Sequence, residues 1–159
     1  MLRTALLLSY LWLAAPVWAM SVAFINPGYA NETYWFTASR CMQAAAEDLG
    51  ISLRIEYASR NYKLALEHTR TLAGLPPAQR PDYVILSNEF GTAAEMVRLL
   101  GDAGIKTFLA YSGRGQGEAG AALGTPRQQF PLWLGSLEPR ASDAGYLTGQ
   151  ALIAQARRA

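Results

Sequence analysis

Residues 83–105 read YVILSNEFGTAAEMVRLLGDAGI, and this stretch decides the fold of the chain. It opens with an apolar, β-forming run over residues 83–86 that ends in the polar triplet Ser87-Asn88-Glu89, as a buried strand does. Apolar residues then recur at three- and four-residue steps, which predicts one face of a helix. They are Ala93, Met96, Val97 and Leu100. Gly104 predicts the end of that helix, so the stretch is one strand–helix unit.

The same alternation of strand and helix continues on both sides of this stretch. Residues 22–25 form an apolar run that ends at Asn26-Pro27-Gly28, and residues 53–57 alternate between apolar and polar side chains. Both patterns predict strands, and a further strand is predicted over residues 107–110. The first helix is predicted from apolar residues at helical spacing: Trp35, Ala38, Met42, Ala45 and Leu49. We therefore predict an α/β fold with a doubly wound parallel sheet covered by helices on both faces.

The pattern is weaker from residue 113 onward. Residues 113–130 are rich in Gly, Gln and Ala and lack periodicity, which predicts a loop or linker with a helical turn near residues 119–123. An apolar run over residues 132–134 predicts one more strand. A last helix is predicted to begin at Ser142.

The N-terminus is typical of a cleavable secretory signal peptide. Arg3 supplies a positive charge, and residues 4–15 are nearly all apolar. Pro16 then precedes Val17-Trp18-Ala19, which fits cleavage after Ala19. The apolar run is shorter than the roughly 20 residues that span a bilayer. We expect residues 1–19 to be removed and the mature chain to work outside the cytoplasm.

Composition argues against several classes of function. The formal net charge is +2 and the basic residues are scattered, so no nucleic-acid surface is predicted. Cys41 is the one cysteine and cannot form an internal disulfide. His68 stands without a triad context, and no cluster has the spacing of metal ligands. Residues 113–117 lack the spacing and the lysine of a nucleotide-binding loop. We predict a protein that is not an enzyme and needs no cofactor or metal.

Polar and aromatic side chains gather where the predicted strands end. Right-handed crossovers place the carboxyl ends of the strands along one edge of the sheet, and ligands bind in the crevice outside that edge. Amide, guanidinium, carboxylate and hydroxyl groups beside aromatic faces suit a neutral polyol or sugar, because its hydroxyls need paired donors and acceptors. The predicted ligand-binding residues are Asn26, Tyr34, Trp35, Arg60, Asn61, Asn88, Glu89, Tyr111 and Ser112.

Four of these residues have a structural interpretation that the sequence leaves open. Asn26 precedes Pro27-Gly28 and can simply form a turn. Trp35 lies on the apolar stripe of the first helix, where it can be a core residue. Arg60 can be a solvated turn residue, and Glu89 can favour the N-terminus of the next helix through the helix dipole.

Residues 22–112 resemble the first lobe of type I periplasmic substrate-binding proteins, in particular the ribose-binding and LuxP-like sugar-binding class. The resemblance lies in the order and spacing of short segments: residues 24–28 (FINPG), Tyr34-Trp35, 42–46 (MQAAA), 49–51 (LGI), 81–86 (PDYVIL) and 103–105 (AGI). It implies capture of a small polar, sugar-like solute in the periplasm for an ABC-type transporter. It also implies that Tyr34 and Trp35 hold the ligand ring and that Asn88 and Glu89 bind its hydroxyls. Tyr111-Ser112 stands where sugar binders often carry a charge.

The resemblance also implies a domain division. We predict a signal peptide over residues 1–19, an N-terminal α/β lobe over 20–112, and a linker with the first strand–helix unit of an incomplete second lobe over 113–159. Members of the family close two lobes on the ligand, so the strand near Trp133 is expected to have little sheet to join, and the chain alone is expected to bind weakly or not at all. Two alternatives stay open: an adaptor that reports a ligand to a membrane sensor instead of an inner-membrane permease, and a non-functional gene fragment.

Overall fold

A parallel five-stranded sheet forms the centre of the computed structural model, which describes residues 19–112 and 117–158. The strand order is β2-β1-β3-β4-β5. The strands are β1 (Ser21–Asn26), β2 (Ser52–Tyr57), β3 (Tyr83–Leu86), β4 (Lys106–Ala110) and β5 (Trp133–Leu137). The predicted α/β class and parallel sheet are confirmed. Except for Ala19, the predicted signal peptide lies outside the described residues.

Helices connect the strands as the alternating pattern predicts. They are α1 (Thr33–Leu49), α2 (Tyr62–Gly74), α3 (Ala93–Asp102), α4 (Gly117–Leu123) and α5 (Ala141–Ala156), with a short 3-10 turn at Pro77–Gln79. The end of α1 shows why its glycine is needed: Gly50 has a φ of 65° and donates its N–H to the Glu47 carbonyl. The helical turn predicted near residues 119–123 is part of α4.

One face of the sheet is fully covered. Register aligns four side chains in a row across β1, β3, β4 and β5, and each has at most 1% of its surface exposed. They are Ala23, Val84, Thr107 and Trp133. Helices α2, α3 and α4 supply buried side chains to the same cluster, for example Leu72, Leu100 and Leu123. The main hydrophobic core therefore lies on this side of the sheet.

The opposite face holds a smaller cluster. Phe24, Trp35 and Ala38 are its buried members, so among the described residues only α1 brings buried side chains to this face. The helix predicted from the apolar stripe is confirmed through Leu49, but the stripe is not buried at its C-terminal end, because Ala45 is exposed and Leu49 has 72% of its surface exposed. No other described helix contributes to this cluster beside α1, so that end of the stripe has little to pack against.

Strand β5 corrects the expectation about the second lobe. The sequence assigns the strand near Trp133 to a second lobe with little sheet to join. In the structure this strand pairs in parallel with β4, from Thr107 opposite Trp133 to Ala110 opposite Leu137, with one irregularity after Thr107. It is therefore the fifth strand of the first sheet. The assignment of α5 to a second lobe stays a prediction. None of the described helices combines the length and the apolar character needed to cross a bilayer.

Candidate functional site

A bridge of charged side chains joins three turns at the carboxyl edge of the sheet. Arg60, after β2, donates from Nε to Glu32 Oε2 at 3.0 Å and from Nη1 to Glu89 Oε2 at 2.6 Å. Its Nη2 also pairs with the other oxygen of Glu32. Glu32 precedes α1 and Glu89 follows β3, so one guanidinium ties the ends of β1, β2 and β3 together.

The backbone holds Arg60 in place for this role. Ser59 and Arg60 have φ angles of 50° and 58°, in the left-handed region that non-glycine residues seldom adopt. Their N–H groups donate to the carbonyls of Gly28 at 3.0 Å and Pro27 at 2.8 Å. The turn after β2 is therefore hydrogen-bonded to the turn after β1. Strained backbone at the edge where ligands bind in open α/β sheets is a reason to suspect a functional role.

The bridge also sets the charge at this edge. The hydrogen bond from Arg60 lowers the pKa of Glu32 from its usual range, and the same bond raises the pKa of Arg60. Two carboxylates therefore share one guanidinium. The position of Arg60 orients the oxygen atoms of Glu32 and Glu89, which can accept hydrogen bonds. Both carboxylate side chains stay partly open to solvent, with 27% and 28% exposed, so a ligand hydroxyl can reach them.

A cluster of aromatic rings, which we call the aromatic wall, lies at the same edge of the sheet and consists of Tyr34, Trp35 and Tyr111 with Phe24 below them. The Tyr111 ring lies 5.5 Å from the ring of Trp35, 6.1 Å from that of Tyr34 and 6.2 Å from that of Phe24, measured between centroids. Tyr34 is 54% exposed, whereas Trp35 is 1% exposed. Burial raises the pKa of the Tyr111 phenol. Tyr34 and Tyr111 therefore present the surface of the wall, and Trp35 supports it from behind.

Asn26 is a structural residue in this fold. It is completely buried, and its amide donates to the Trp35 carbonyl at 3.1 Å and to Ser39 Oγ at 2.9 Å. Its Oδ1 accepts from the Gly28 N–H at 2.9 Å. These bonds attach the end of β1 to α1 and leave Asn26 no path to a ligand. The sequence left open whether Asn26 binds a ligand or forms a turn, and its burial and hydrogen bonds support the turn.

Trp35 likewise belongs to the core. The indole is buried between Gly28 and Tyr111, in agreement with its place on the apolar stripe of α1. Its Nε1–H has no hydrogen-bond partner among the described residues. The sequence-based expectation that Trp35 itself stacks on a ligand does not fit this burial, whereas the Tyr34 ring is 54% exposed and stays accessible at the start of α1.

Three further predicted site residues hold turns together. Asn61 caps α2, because its Oδ1 accepts from the N–H groups of Lys63 and Leu64. Asn88 Oδ1 accepts from the N–H of Ala93 at the start of α3. Ser112 Oγ lies 2.7 Å from Ser87 Oγ and accepts from the Asn88 N–H at 2.7 Å, which ties the ends of β3 and β4.

Two acidic residues at this edge were not predicted from the sequence. Glu32 is the partner of Arg60, and Glu138 lines an open groove of about 490 Å³ together with Tyr34 and Tyr111. Each follows a strand in the chain, so counting every charged residue between a strand and the next helix would have found both. The described residues contain no group of three His, Cys, Asp or Glu side chains placed to hold a metal ion.

Two solved structures are similar to parts of this chain. A periplasmic sugar-binding protein from Pseudomonas fluorescens matches 80% of this chain at 37% sequence identity with a TM-score of 0.64, and 34% of its own length is covered. An ABC sugar transporter subunit from Rhodobacter sphaeroides 2.4.1 shares 23% identity over 57% of this chain and 31% of its own, with a TM-score of 0.49. The chain thus spans about a third of the length of either structure. No protein-family model and no curated protein matches it.

Proposed function

Because the chain has the type I periplasmic binding protein fold, we propose that it is a periplasmic solute-binding lobe that captures a small polar, sugar-like ligand for an ABC-type transporter. The similarity to a periplasmic sugar-binding protein at 37% identity supports this role and this compartment. The predicted signal peptide agrees with export. The lobe acts by binding and carries out no catalysis.

The observation that carries the proposal is that Arg60, Glu32 and Glu89 form one ion-paired cluster at the carboxyl edge of the sheet, where the rings of Tyr34 and Tyr111 also lie. Carboxylates accept hydrogen bonds from sugar hydroxyls, and a guanidinium donates to a ring or hydroxyl oxygen. The face of Tyr34 is free to lie against the apolar face of a ring. Neutral hydroxylated ligands fit this set better than anions, because the one guanidinium is already bonded to two carboxylates.

We also propose that the chain by itself binds weakly. The bridge is open to solvent on its outer side, where the side chain of Arg60 is 41% exposed. A hydrogen bond that forms in contact with water adds little net free energy, about 1 kcal/mol. A ligand covered on one side only gains little of the burial that tight sites provide.

Isothermal titration calorimetry of the mature chain with neutral pentoses and hexoses tests the function. We expect weak binding of at least one neutral sugar and none of the matching uronic acid. Arg60→Gln should abolish that binding. Arg98→Gln removes a surface pair with Asp102 on α3 and should leave binding unchanged. Submicromolar affinity would refute the weak-binding proposal, and binding that persists in Arg60→Gln would refute the site.

A further inference from the structure

The two carboxylates that share Arg60 hold it in different ways. Glu32 uses both of its oxygens: Oε2 accepts from Nε of Arg60 at 3.0 Å, and Oε1 accepts from Nη2. These two bonds occupy one edge of the guanidinium, in the bidentate arrangement that arginine forms with carboxylates. Glu89 makes a single bond, in which its Oε2 accepts from Nη1 at 2.6 Å. The edge of Arg60 formed by Nε and Nη2 is therefore filled by Glu32.

The carboxylate of Glu32 is held by its own turn as well as by Arg60. Its Oε2 also accepts from the Tyr29 N–H at 3.3 Å, and the Glu32 N–H donates to the Tyr29 carbonyl at 3.1 Å. Arg60 is held by the turn after β1, because its N–H donates to the Pro27 carbonyl at 2.8 Å. Backbone hydrogen bonds thus set the positions of both partners. The pair differs in this respect from a surface ion pair between two mobile side chains.

The filled edge of Arg60 is the one that an acidic ligand would need. A guanidinium binds a carboxylate most strongly when two N–H groups on one edge donate to its two oxygens. Glu32 already presents this group to the Nε and Nη2 edge. The cluster of Arg60, Glu32 and Glu89 also carries one more negative than positive charge. The carboxylate of a ligand would therefore meet an occupied edge and a charge of its own sign.

A neutral hydroxyl group meets neither obstacle. It carries no charge, and a single N–H donor or carboxylate oxygen is enough to bind it. The bridge uses three of the five N–H groups of the Arg60 guanidinium. The carboxylate side chains of Glu32 and Glu89 are 27% and 28% exposed, so their oxygens can be reached from solvent. The same cluster that opposes an acidic sugar can thus bind a neutral one.

We propose that Glu32 is the specificity-determining residue of this site, because it occupies the edge of Arg60 on which the carboxylate of an acidic sugar would bind. The inference rests on the proposed function, whose preference for neutral over acidic sugars it assigns to one side chain. Glu89 does not set this preference, since it bonds to Nη1 and leaves the Nε and Nη2 edge to Glu32. Removal of Glu32 should therefore open Arg60 to a carboxylate, whereas removal of Glu89 should not.

Isothermal titration calorimetry of the mature chain with glucuronate tests this assignment. Glu32→Ala should bind glucuronate at least about tenfold more tightly than wild type, which corresponds to about one charge-assisted hydrogen bond. Glu89→Gln removes the same charge from the same cluster and should show no such gain. Glu67→Gln removes a charge at an exposed position of α2 and should also match wild type. Glu32→Ser is a second variant that should fold, since residue 32 caps α1 without a side-chain bond and serine is favoured there.

NMR spectroscopy of the Arg60 side chain gives a test that needs no sugar. The Nε–H resonance of Arg60, assigned by its loss in Arg60→Gln, reports the bond to Glu32. This resonance should shift in Glu32→Ala, and added acetate should return it toward the wild-type position. Acetate supplies the carboxylate and the one methylene carbon that alanine lacks relative to glutamate. In wild type and in Glu89→Gln, where Glu32 is present, acetate should leave the resonance unchanged.

Two results would overturn the proposal. The first is a Glu32→Ala or Glu32→Ser chain that is folded by circular dichroism yet shows no gain in glucuronate binding. The second is an equal gain in Glu89→Gln, because net charge and not the occupied edge would then set the specificity. If wild type still binds neutral sugars, the proposed function stands without this inference. Responses of Glu32→Ala to glucuronate and acetate, with no neutral sugar bound by wild type, would support the role of Glu32 and refute the proposed ligand.

Discussion

The indole ring of Trp35 occupies the space in which a side chain at residue 28 would stand. A Cβ atom on Gly28 would lie 2.1 Å from Cδ1 of Trp35, far inside any allowed contact. Because Trp35 is buried and supports Tyr111, it has little room to move away. The turn after β1 and the aromatic wall therefore depend on each other through this one contact.

Gly28→Ala should destabilise the protein by about 1–3 kcal/mol, the usual cost of forcing an extra methyl group into a packed site. Urea unfolding followed by circular dichroism measures the change. Gly74→Ala on α2 is the matched control, because a Cβ there meets nothing within 4 Å and alanine favours a helix. Equal stability of the Gly28→Ala and wild-type chains would contradict the contact.

Asn26→Ala should lower the free energy of unfolding by about 2–4 kcal/mol. The substitution removes three buried hydrogen bonds and leaves the Trp35 carbonyl, the Ser39 hydroxyl and the Gly28 N–H without their partner. Asn31→Ala, at an exposed position of the same turn region, should change stability by less than about 0.5 kcal/mol. If the two variants unfolded at the same urea concentration, Asn26 would not tie β1 to α1.

Glu32→Gln should remove the part of the free energy of unfolding that depends on the ionisation of Glu32. The bond from Arg60 lowers the folded-state pKa of Glu32 below its ordinary value of 4.5, so this stabilisation is complete above that value. It is lost as the pH falls through the folded-state pKa. The melting temperatures of wild type and Glu32→Gln should therefore differ slightly at neutral pH and converge in acid. Glu67→Gln, exposed on α2, is the control, and a gap that widened in acid would reverse the sign of the linkage.

The Tyr111 phenol should lose its proton at a higher pH than the phenol of an exposed tyrosine. Burial raises its folded-state pKa above the ordinary value of 10.0. The fold thus favours the neutral phenol, and stability from this residue is lost as the pH rises past the ordinary value toward the folded one. Ultraviolet difference titration of wild type against Tyr111→Phe should isolate a phenolate step above that of exposed tyrosines. A step at or below the ordinary value would mean that the ring is not packed against Trp35 and Phe24.

The start of α3 shows how local pattern and structure can differ. Thr92 and Glu95 have the spacing of a capping box, yet the Thr92 side chain makes no cap hydrogen bond and its hydroxyl donates to Met96 Sδ. Asn88 Oδ1 takes the Ala93 N–H instead. The helix begins where the sequence predicts, but the capping atom comes from the turn after β3, whose path no local motif describes.

The sequence was sufficient to predict which side chains lie at the carboxyl edge of the sheet. It was not sufficient to predict which of them are accessible to a ligand. Arg60, Glu89 and Tyr34 are accessible there, while Asn26 and Trp35 are buried. Those outcomes depend on contacts between distant segments, such as Arg60 with Glu89, 29 positions apart. Glu32 was missed because a carboxylate before a helix has no distinctive pattern until its cation is in place.

The alternation of strands and helices could be predicted from the amino-acid sequence, and with it the parallel sheet and its single carboxyl edge, because periodicity and glycine stops act over a few residues. The pairing of β5 with β4 follows from the tertiary structure alone, and so does the finding that α1 is the one described helix with buried side chains on its face of the sheet. Strand pairing and the commitment of hydrogen bonds are settled between residues far apart in the chain. Local propensities contain no information about such neighbours, so the roles of Asn26 and Arg60 become evident only in the assembled sheet.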